Sequence, residues 1–259
     1  MEGETISTLS NLERAIENRL TAFQKAGCRY ADHALDNGFV FYQDDGKNEE
    51  RFQKAKQGSL SKEEGKRLSS YMLLTLGTLY AKYGMTMQLH VGAQRYTSDR
   101  LRLLAGAAGG FAGIGNSVDV QSLTAFLNEL EKREYGLPKT VLFTLNPSDN
   151  ALISVLSGSY AKDGVAGLIT QGPAWWWCDH SLGIVDTLEY TAVYGMLSNF
   201  VGMTTDSRSF LSFVRHDYFR RILCDWLAQK WANGEFLGSE NDLFALAYQL
   251  SYGNAKKEK

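Results

Sequence analysis

The sequence predicts an α/β fold in which a parallel sheet of about five strands is covered by helices on the outside. Short apolar runs of strand length alternate repeatedly with helical patterns of roughly 12–20 residues. The apolar runs are almost continuous, which is typical of parallel strands that are covered on both faces. A glycine often stands where a helical pattern stops.

The two long helices near the amino terminus are the clearest elements. Apolar residues recur at three- and four-residue spacing over 9–23, with Ser10 and Glu13 as a capping box. The second helix opens on another Ser-x-x-Glu sequence at Ser61 and continues to Gly84. Both patterns indicate helices with one buried face.

Strands and helices then alternate to the end of the chain. The predicted strands are Cys28–His33, Met85–Val91, Thr140–Asn146, Val165–Gln171 and Phe200–Thr204. The later predicted helices lie near Ser122–Glu134, from about Asp149, near Leu182–Tyr194, near Tyr218–Ala232 and near Asp242–Ser251. The Gly/Ala-rich stretch 105–115 lacks the Gly-x-Gly-x-x-Gly spacing of a nucleotide loop, so we expect a flexible loop near the active face.

Composition narrows the class of protein. The length of 259 residues suits one domain, or one large and one small domain, and we predict one domain over 1–259. A net charge of −2 gives no argument for nucleic acid or a membrane surface. Three scattered cysteines argue against a disulfide framework or a structural zinc site. Since no apolar run reaches the roughly 18–20 residues that span a bilayer and the first residues are not those of a signal peptide, we expect a cytoplasmic protein.

Polar or aromatic residues follow each predicted strand. They are Asp32 and His33, His90, Asn146, Trp175 to Asp179, and Asp206 with Arg208. The carboxyl ends of parallel strands meet on one side of a sheet, so these groups are expected to converge there. Each also has an ordinary structural interpretation: a histidine packed in the core, an indole in the core, or a structural ion pair. From the pattern alone, the sequence favours an enzyme with an acidic substrate and leaves the reaction open.

Several longer strings resemble the uronate (glucuronate) isomerase family of the amidohydrolase superfamily. They occur in order over nearly the whole chain, and the longest, Val201–Phe210, is highly specific. The others are Gly27-Cys28 with Asp32–Asp36, Met87–Arg95, Leu137–Thr140, Asn146–Asn150, Trp175-Trp176 with Asp179, and Arg215–Leu223.

This resemblance implies a TIM-type (β/α) barrel and the interconversion of D-glucuronate with D-fructuronate, and of D-galacturonate with D-tagaturonate, by proton transfer between C2 and C1. Asp206 matches the family's metal-contacting proton carrier, and Arg208 matches the arginine that steadies the substrate and its developing charge. The resemblance assigns the lining of the substrate pocket to His33, His90, Arg95, Trp176 and Asp179.

One departure from the family concerns the metal. The family's His-x-His pair on its first strand is missing, and five strands are predicted where a closed barrel has eight. We therefore expect an incomplete TIM-type barrel, the C-terminal part of a uronate isomerase, with weak or absent binding of a divalent metal, zinc in the family. The expected partners are a uronate and either further copies of the chain or a complementing N-terminal chain.

Two alternatives stay open. The chain could be a non-catalytic remnant that binds uronates or a complementing chain, although Asp206 and Arg208 are retained. A divergent hydrolase of the same superfamily is a weaker alternative, because such enzymes also rely on the missing metal histidines.

Overall fold

A computed structural model of the chain describes residues 5–207 and 209–257. The helices are α1 (Leu9–Lys25), α2 (Asn48–Lys56), α3 (Lys62–Tyr83), α4 (Asp99–Ala105), α5 (Val120–Glu131), α6 (Asn150–Ser159), α7 (Ser181–Tyr194), α8 (Val214–Ala232), α9 (Glu240–Tyr248) and α10 (Asn254–Lys257). The strands are β1 (Tyr30–Leu35), β2 (Thr86–Val91), β3 (Ala93–Gln94), β4 (Gly113–Ile114), β5 (Thr140–Thr144) and β6 (Ile169–Gln171).

Four of these strands form one sheet in the order β1-β2-β5-β6. β5 and β6 are parallel, with Thr140 opposite Ile169 and Leu142 opposite Gln171. β3 and β4 form a separate antiparallel pair, which the sequence analysis did not predict. The prediction of an α/β fold with a parallel sheet is confirmed.

The predicted fifth strand, Phe200–Thr204, is not a strand in the structure. Gly202 has φ 76°, which interrupts the extended backbone, and a Cβ at this position would overlap the carbonyl oxygen of Leu250. The Asn254 side-chain amide donates to the carbonyls of Ser198 (2.7 Å) and Phe200 (2.9 Å). The carboxyl-terminal residues therefore satisfy backbone groups of this segment, and the sheet of the described chain has four strands.

The capping residues predicted from the sequence agree with the structure for α3 but not for α1. In α3 the Glu64 N–H donates to the Ser61 hydroxyl (3.3 Å), and the Ser61 N–H donates to the Glu64 carboxylate (3.0 Å), as predicted. Gly84 ends α3 with φ 62°. For α1 the predicted Ser10 cap is wrong, because Ser10 already lies inside a helix that Thr8 caps from an extended backbone.

The chain divides into two compact units. The first contains the described residues up to 32 together with 38–87 and 118–139, and its helices are α1, α2, α3 and α5. Its core contains Phe126, Leu127 and Leu130 of α5, and the backbone of Gly77 in α3 leaves no room for a side chain beside Leu130. A Cβ there would lie 2.7 Å from a Leu130 methyl carbon, which is why glycine occupies this helical position.

The second unit contains 33–37, 88–117 and the described residues from 140 onward. One apolar cluster of this unit consists of Ala93, Val141, Phe143, Leu145 and Trp175. A larger cluster joins α7, α8 and α9 with Phe200 and Leu250. None of the helices in the described part of the chain combines the length and the hydrophobicity needed to traverse a bilayer. The prediction of one barrel domain over 1–259 stays a prediction.

Candidate functional site

His90 is the centre of an aromatic arrangement at the end of β2. The Leu145 N–H donates to the Val91 carbonyl (3.1 Å), and this register sets Phe143 of β5 beside His90. The two rings stack with centroids 4.4 Å apart and an interplanar angle of 10°. The Trp175 indole meets the imidazole edge-on, with centroids 4.6 Å apart. The half-buried imidazole therefore packs against two aromatic rings.

The row of rings continues from Trp175 to a charged group. The Trp175 and Trp176 centroids are 4.7 Å apart, and the Arg95 guanidinium carbon lies 5.6 Å from the Trp176 ring. Arg95 Nε also donates to the Asp36 carboxylate (2.8 Å). Consecutive side-chain contacts thus connect three residues predicted to bind substrate: His90, Trp176 and Arg95.

A cavity of about 370 Å³ opens beside this row. Its walls are Arg95, the indoles of Trp176 and Trp177, Phe111 and the Gly/Ala-rich segment 107–112. Trp177 Nε1 donates to the Ala112 carbonyl (3.1 Å), which fixes this indole against the segment. The cavity therefore offers one cation and two indole surfaces to a small ligand.

Residues after two strands, β1 and β5, anchor the hairpin that carries Arg95. The Asn37 amide donates to Gln94 Oε1 (2.8 Å), and its oxygen accepts from the Asn116 N–H (2.9 Å). The Asn146 amide donates to the Gly115 carbonyl (3.0 Å). The sequence analysis included Asn146 but missed Asn37, whose only signal was its position just after the first strand.

His33 does not join His90. β1 extends past His33 to Leu35, and the Gly92 N–H donates to the Leu35 carbonyl (3.3 Å). In this parallel register Ala34 is the neighbour of His90, and because side chains alternate along a strand, His33 points to the opposite face of the sheet. The predicted strand ended two residues too early, and the predicted contact of His33 with substrate stays a prediction.

Asp179 is the buried member of an ion pair. Its side chain is 3% exposed, and one oxygen contacts the guanidinium of Arg215 in α8. The other oxygen, Oδ1, is buried and has no hydrogen-bond partner among residues 5–207 and 209–257. Asp179 thus connects the segment after the tryptophans to α8, and its predicted contact with substrate stays a prediction.

Trp176 and Asp206 share an unusual backbone conformation. They are the two non-glycine residues with positive φ in residues 5–207 and 209–257, at 47° and 42°. This left-handed region is disfavoured for residues with a Cβ, above all for bulky ones. Asp206 is exposed. Its predicted partner Arg208 lies outside the described residues.

Cys178 lies behind the aromatic row and donates its thiol to the Leu145 carbonyl (3.2 Å). Burial, with a smaller contribution from the negative charge of Asp186, raises the pKa of this thiol. Since the thiol therefore stays protonated at neutral pH, Cys178 is not a thiolate nucleophile.

The described residues do not fit a divalent metal. No group of three or more His, Cys, Asp or Glu side chains close enough to hold an ion occurs among them. Asp206, the predicted metal ligand, has no such companions within the part of the chain that the structure describes.

Known proteins resemble the chain over nearly all of its length. The model of a family described as glucuronate isomerase matches residues 1–258. A uronate isomerase of Caldanaerobacter subterraneus is 40% identical over 258 residues, which are 98% of this chain and 55% of that protein. The chain spans about half the length of the curated relatives it matches.

Two solved structures agree with the fold. The uronate isomerase of Thermotoga maritima aligns with a TM-score of 0.89 at 29% identity, covering 99% of this chain and 55% of that one. The glucuronate isomerase of Caulobacter crescentus aligns with a TM-score of 0.87 at 25% identity, covering 99% and 52%. The chain therefore has the fold found in a part of these proteins.

Proposed function

Because the chain belongs to the glucuronate (uronate) isomerase family, we propose that it supplies the proton carrier and one wall of the substrate pocket of an aldose–ketose isomerase. The proposed reactions convert D-glucuronate to D-fructuronate and D-galacturonate to D-tagaturonate. The observation that carries the proposal is the left-handed backbone of Trp176 and Asp206, two residues assigned to the site by the sequence analysis.

Strained backbone at these two positions argues for function. A left-handed conformation costs a residue with a Cβ about 1–2 kcal/mol. Folded proteins keep such residues where surrounding contacts hold them, often at active sites. Trp176 has these contacts in Trp175 and Arg95. A surface loop with only a connecting role would not be expected to keep a tryptophan in the left-handed conformation.

The wall formed by Arg95 and the indoles suits an open-chain sugar acid. The guanidinium offers paired N–H donors to the substrate carboxylate, and the indole faces offer an apolar surface to the C–H groups of the sugar. Asp36 holds Arg95 in place until the substrate carboxylate shares the guanidinium. In this proposal His90 is a further polar group at the wall, kept in orientation by Phe143 and Trp175.

The proposed chemistry at carbon consists of two proton transfers, one from C2 of the substrate to Asp206 and one from Asp206 to C1. Asp206 takes the proton from C2 of the open-chain aldose, which leaves an enediolate with its negative charge on O1. The O2 proton passes to O1, and Asp206 returns its own proton to C1 as C2 becomes the ketone carbon. A carboxylate is a side chain that is able to act as this base. Arg208 steadies the negative charge that develops on the substrate oxygens. His33 has no part in the proposal because it points to the other face of the sheet.

Substitution of Asp206 tests this role. We expect Asp206→Asn to reduce isomerisation of D-glucuronate about 10²–10⁴-fold, as loss of a proton-transfer group typically does, with an unchanged circular dichroism spectrum. Activity is measured with the chain joined to the part of the Caldanaerobacter relative that it does not match. Asp225→Asn, which removes an exposed carboxylate of α8, is the matched control. Wild-type rates for Asp206→Asn would remove this residue from the mechanism.

A non-catalytic uronate-binding protein is the second candidate. It is favoured by the fit to about half of each relative and by the lack of a metal-binding group among the described residues. Titration calorimetry of the chain with D-glucuronate separates the candidates. Binding that Arg95→Ala abolishes, without turnover even in the joined protein, would favour this alternative.

A further inference from the structure

A short segment after Asp206 exposes large apolar side chains. Phe210 to Phe213 form one 3₁₀ turn, and Val214 begins α8. Phe210 is 86% exposed, Leu211 84%, Phe213 69% and Val214 67%. We call these four residues the 210–214 surface. Isolated exposed apolar residues are ordinary, but four large ones within five positions are typical of an interaction site.

This segment has a defined local structure. The Ser209 N–H donates to the Ser207 hydroxyl (3.2 Å), and the Leu211 N–H donates to the Ser209 hydroxyl (3.3 Å). Ser207 and Ser212 also share a hydrogen bond between their hydroxyls. The Phe210 and Phe213 rings lie 6.1 Å apart. The side chains are thus presented on an ordered turn that is suited to a partner.

We infer that the 210–214 surface is the docking site of one polypeptide: the segment that corresponds to the part of the relatives this chain does not match. The match covers 98% of this chain but 55% of the Caldanaerobacter protein. That protein therefore has a large further segment that this sequence does not match. Whether the segment is joined to this chain or separate does not change the docking. The choice of this partner rests on the proposed function. The exposure of the 210–214 surface is observed independently of that proposal.

The position of the surface gives the docking a role. It begins four residues after Asp206, next to the proposed proton carrier. A polypeptide seated on Phe210 and Leu211 would lie close to this carboxylate and exclude water from it. It would also be placed to add side chains to a site whose described residues hold no metal-binding group.

Co-expression tests the docking. The tagged chain is produced together with the unmatched segment of the Caldanaerobacter relative, and the purified protein is measured by size-exclusion chromatography with light scattering. We expect a one-to-one complex. The double variant Phe210→Ser with Leu211→Ser should weaken it about 100-fold, because buried aromatic and aliphatic anchors dominate such interfaces. Leu237→Ser, at a position 95% exposed elsewhere, is the matched control and should leave the complex intact.

Carbene footprinting provides a second measurement if the separate segment does not fold. Here the unmatched segment is joined covalently to the chain, and labelling of the 210–214 surface is compared with labelling of Leu237. We expect labelling at 210–214 to fall at least fivefold relative to the chain alone, with Leu237 unchanged.

Three results would overturn the inference. They are equal labelling of 210–214 in the joined protein and in the chain alone, a complex that survives the double variant, and a dimer of the chain alone that the double variant dissolves. The last result would assign the surface to a second copy. Protection at 210–214 without isomerase activity would support the docking while the proposed function fails.

Discussion

Because Trp176 has a left-handed backbone, we predict that glycine stabilises the fold more than alanine at this position, the reverse of the usual order. Trp176→Gly and Trp176→Ala both remove the indole, with its contacts to Trp175 and Arg95. Only glycine relieves the strain of φ 47°, which costs alanine about 1–2 kcal/mol. Part of this gain is offset by the greater freedom of glycine in the unfolded chain. We therefore expect Trp176→Gly to be more stable than Trp176→Ala by about 1 kcal/mol, or roughly 2–4 °C in melting temperature.

The neighbouring Trp177 is the control for this prediction. It lies in the same 3₁₀ turn, is similarly exposed and does not have a positive φ. There alanine should exceed glycine in stability by about 0.4–1 kcal/mol. Urea unfolding followed by circular dichroism measures all four variants. If alanine is the more stable residue at both positions, the strain at Trp176, and with it the argument from backbone to function, is refuted.

Three further predictions concern the surroundings of the site and the fold. Gly115→Ala should lower stability by about 1–3 kcal/mol in urea unfolding, because its Cβ would lie 2.7 Å from the Gly92 carbonyl oxygen; an unchanged midpoint would contradict this close approach. Arg215→Leu should cost about 2 kcal/mol or more in the same assay by leaving the buried Asp179 carboxylate unpaired, and recovery in the double variant with Asp179→Asn would confirm the pairing. Hydrogen bonds from a lysine and from the cap of α3 lower the pKa of Glu64 to about 2 from 4.5, so Glu64→Gln should lower the melting temperature at pH 7 and have a much smaller effect at pH 2. The sign follows because a carboxyl group with a lowered pKa stabilises the fold above pH 4.5 and loses this contribution as the pH falls through 2; an effect of the same size at pH 7 and at pH 2 would exclude the ionised form as its cause.

The fold was largely predictable because its signals are local. The cap at Ser61 and the stop at Gly84 depend on a few adjacent residues, and both appear in the structure. The segment 200–204 was misjudged because its apolar composition is that of a strand, whereas its conformation depends on Leu250 and Asn254, about fifty residues later in the chain. Contacts at such sequence separation leave no periodic pattern.

The candidate site was predictable in composition but not in arrangement. The sequence indicated that Arg95, Trp176 and His90 belong together, and ring contacts do connect them. It did not reveal the face to which His33 points, because side chains alternate along a strand and the end of a strand does not fix which of its faces meets the site. Nor did it reveal the buried pairing of Asp179, because ion-pair partners carry no sequence signature.

The anchoring of the 200–204 segment by the carboxyl-terminal helices has a practical consequence for work on this protein. The glycine of this segment rests on the Leu250 carbonyl, and the Asn254 amide holds two of the carbonyls that precede it. The backbone that leads to Asp206 is thus braced by residues about fifty positions later in the chain. Substitution of Asn254 is therefore expected to shift the 200–204 segment without changing any residue that lines the cavity beside Arg95.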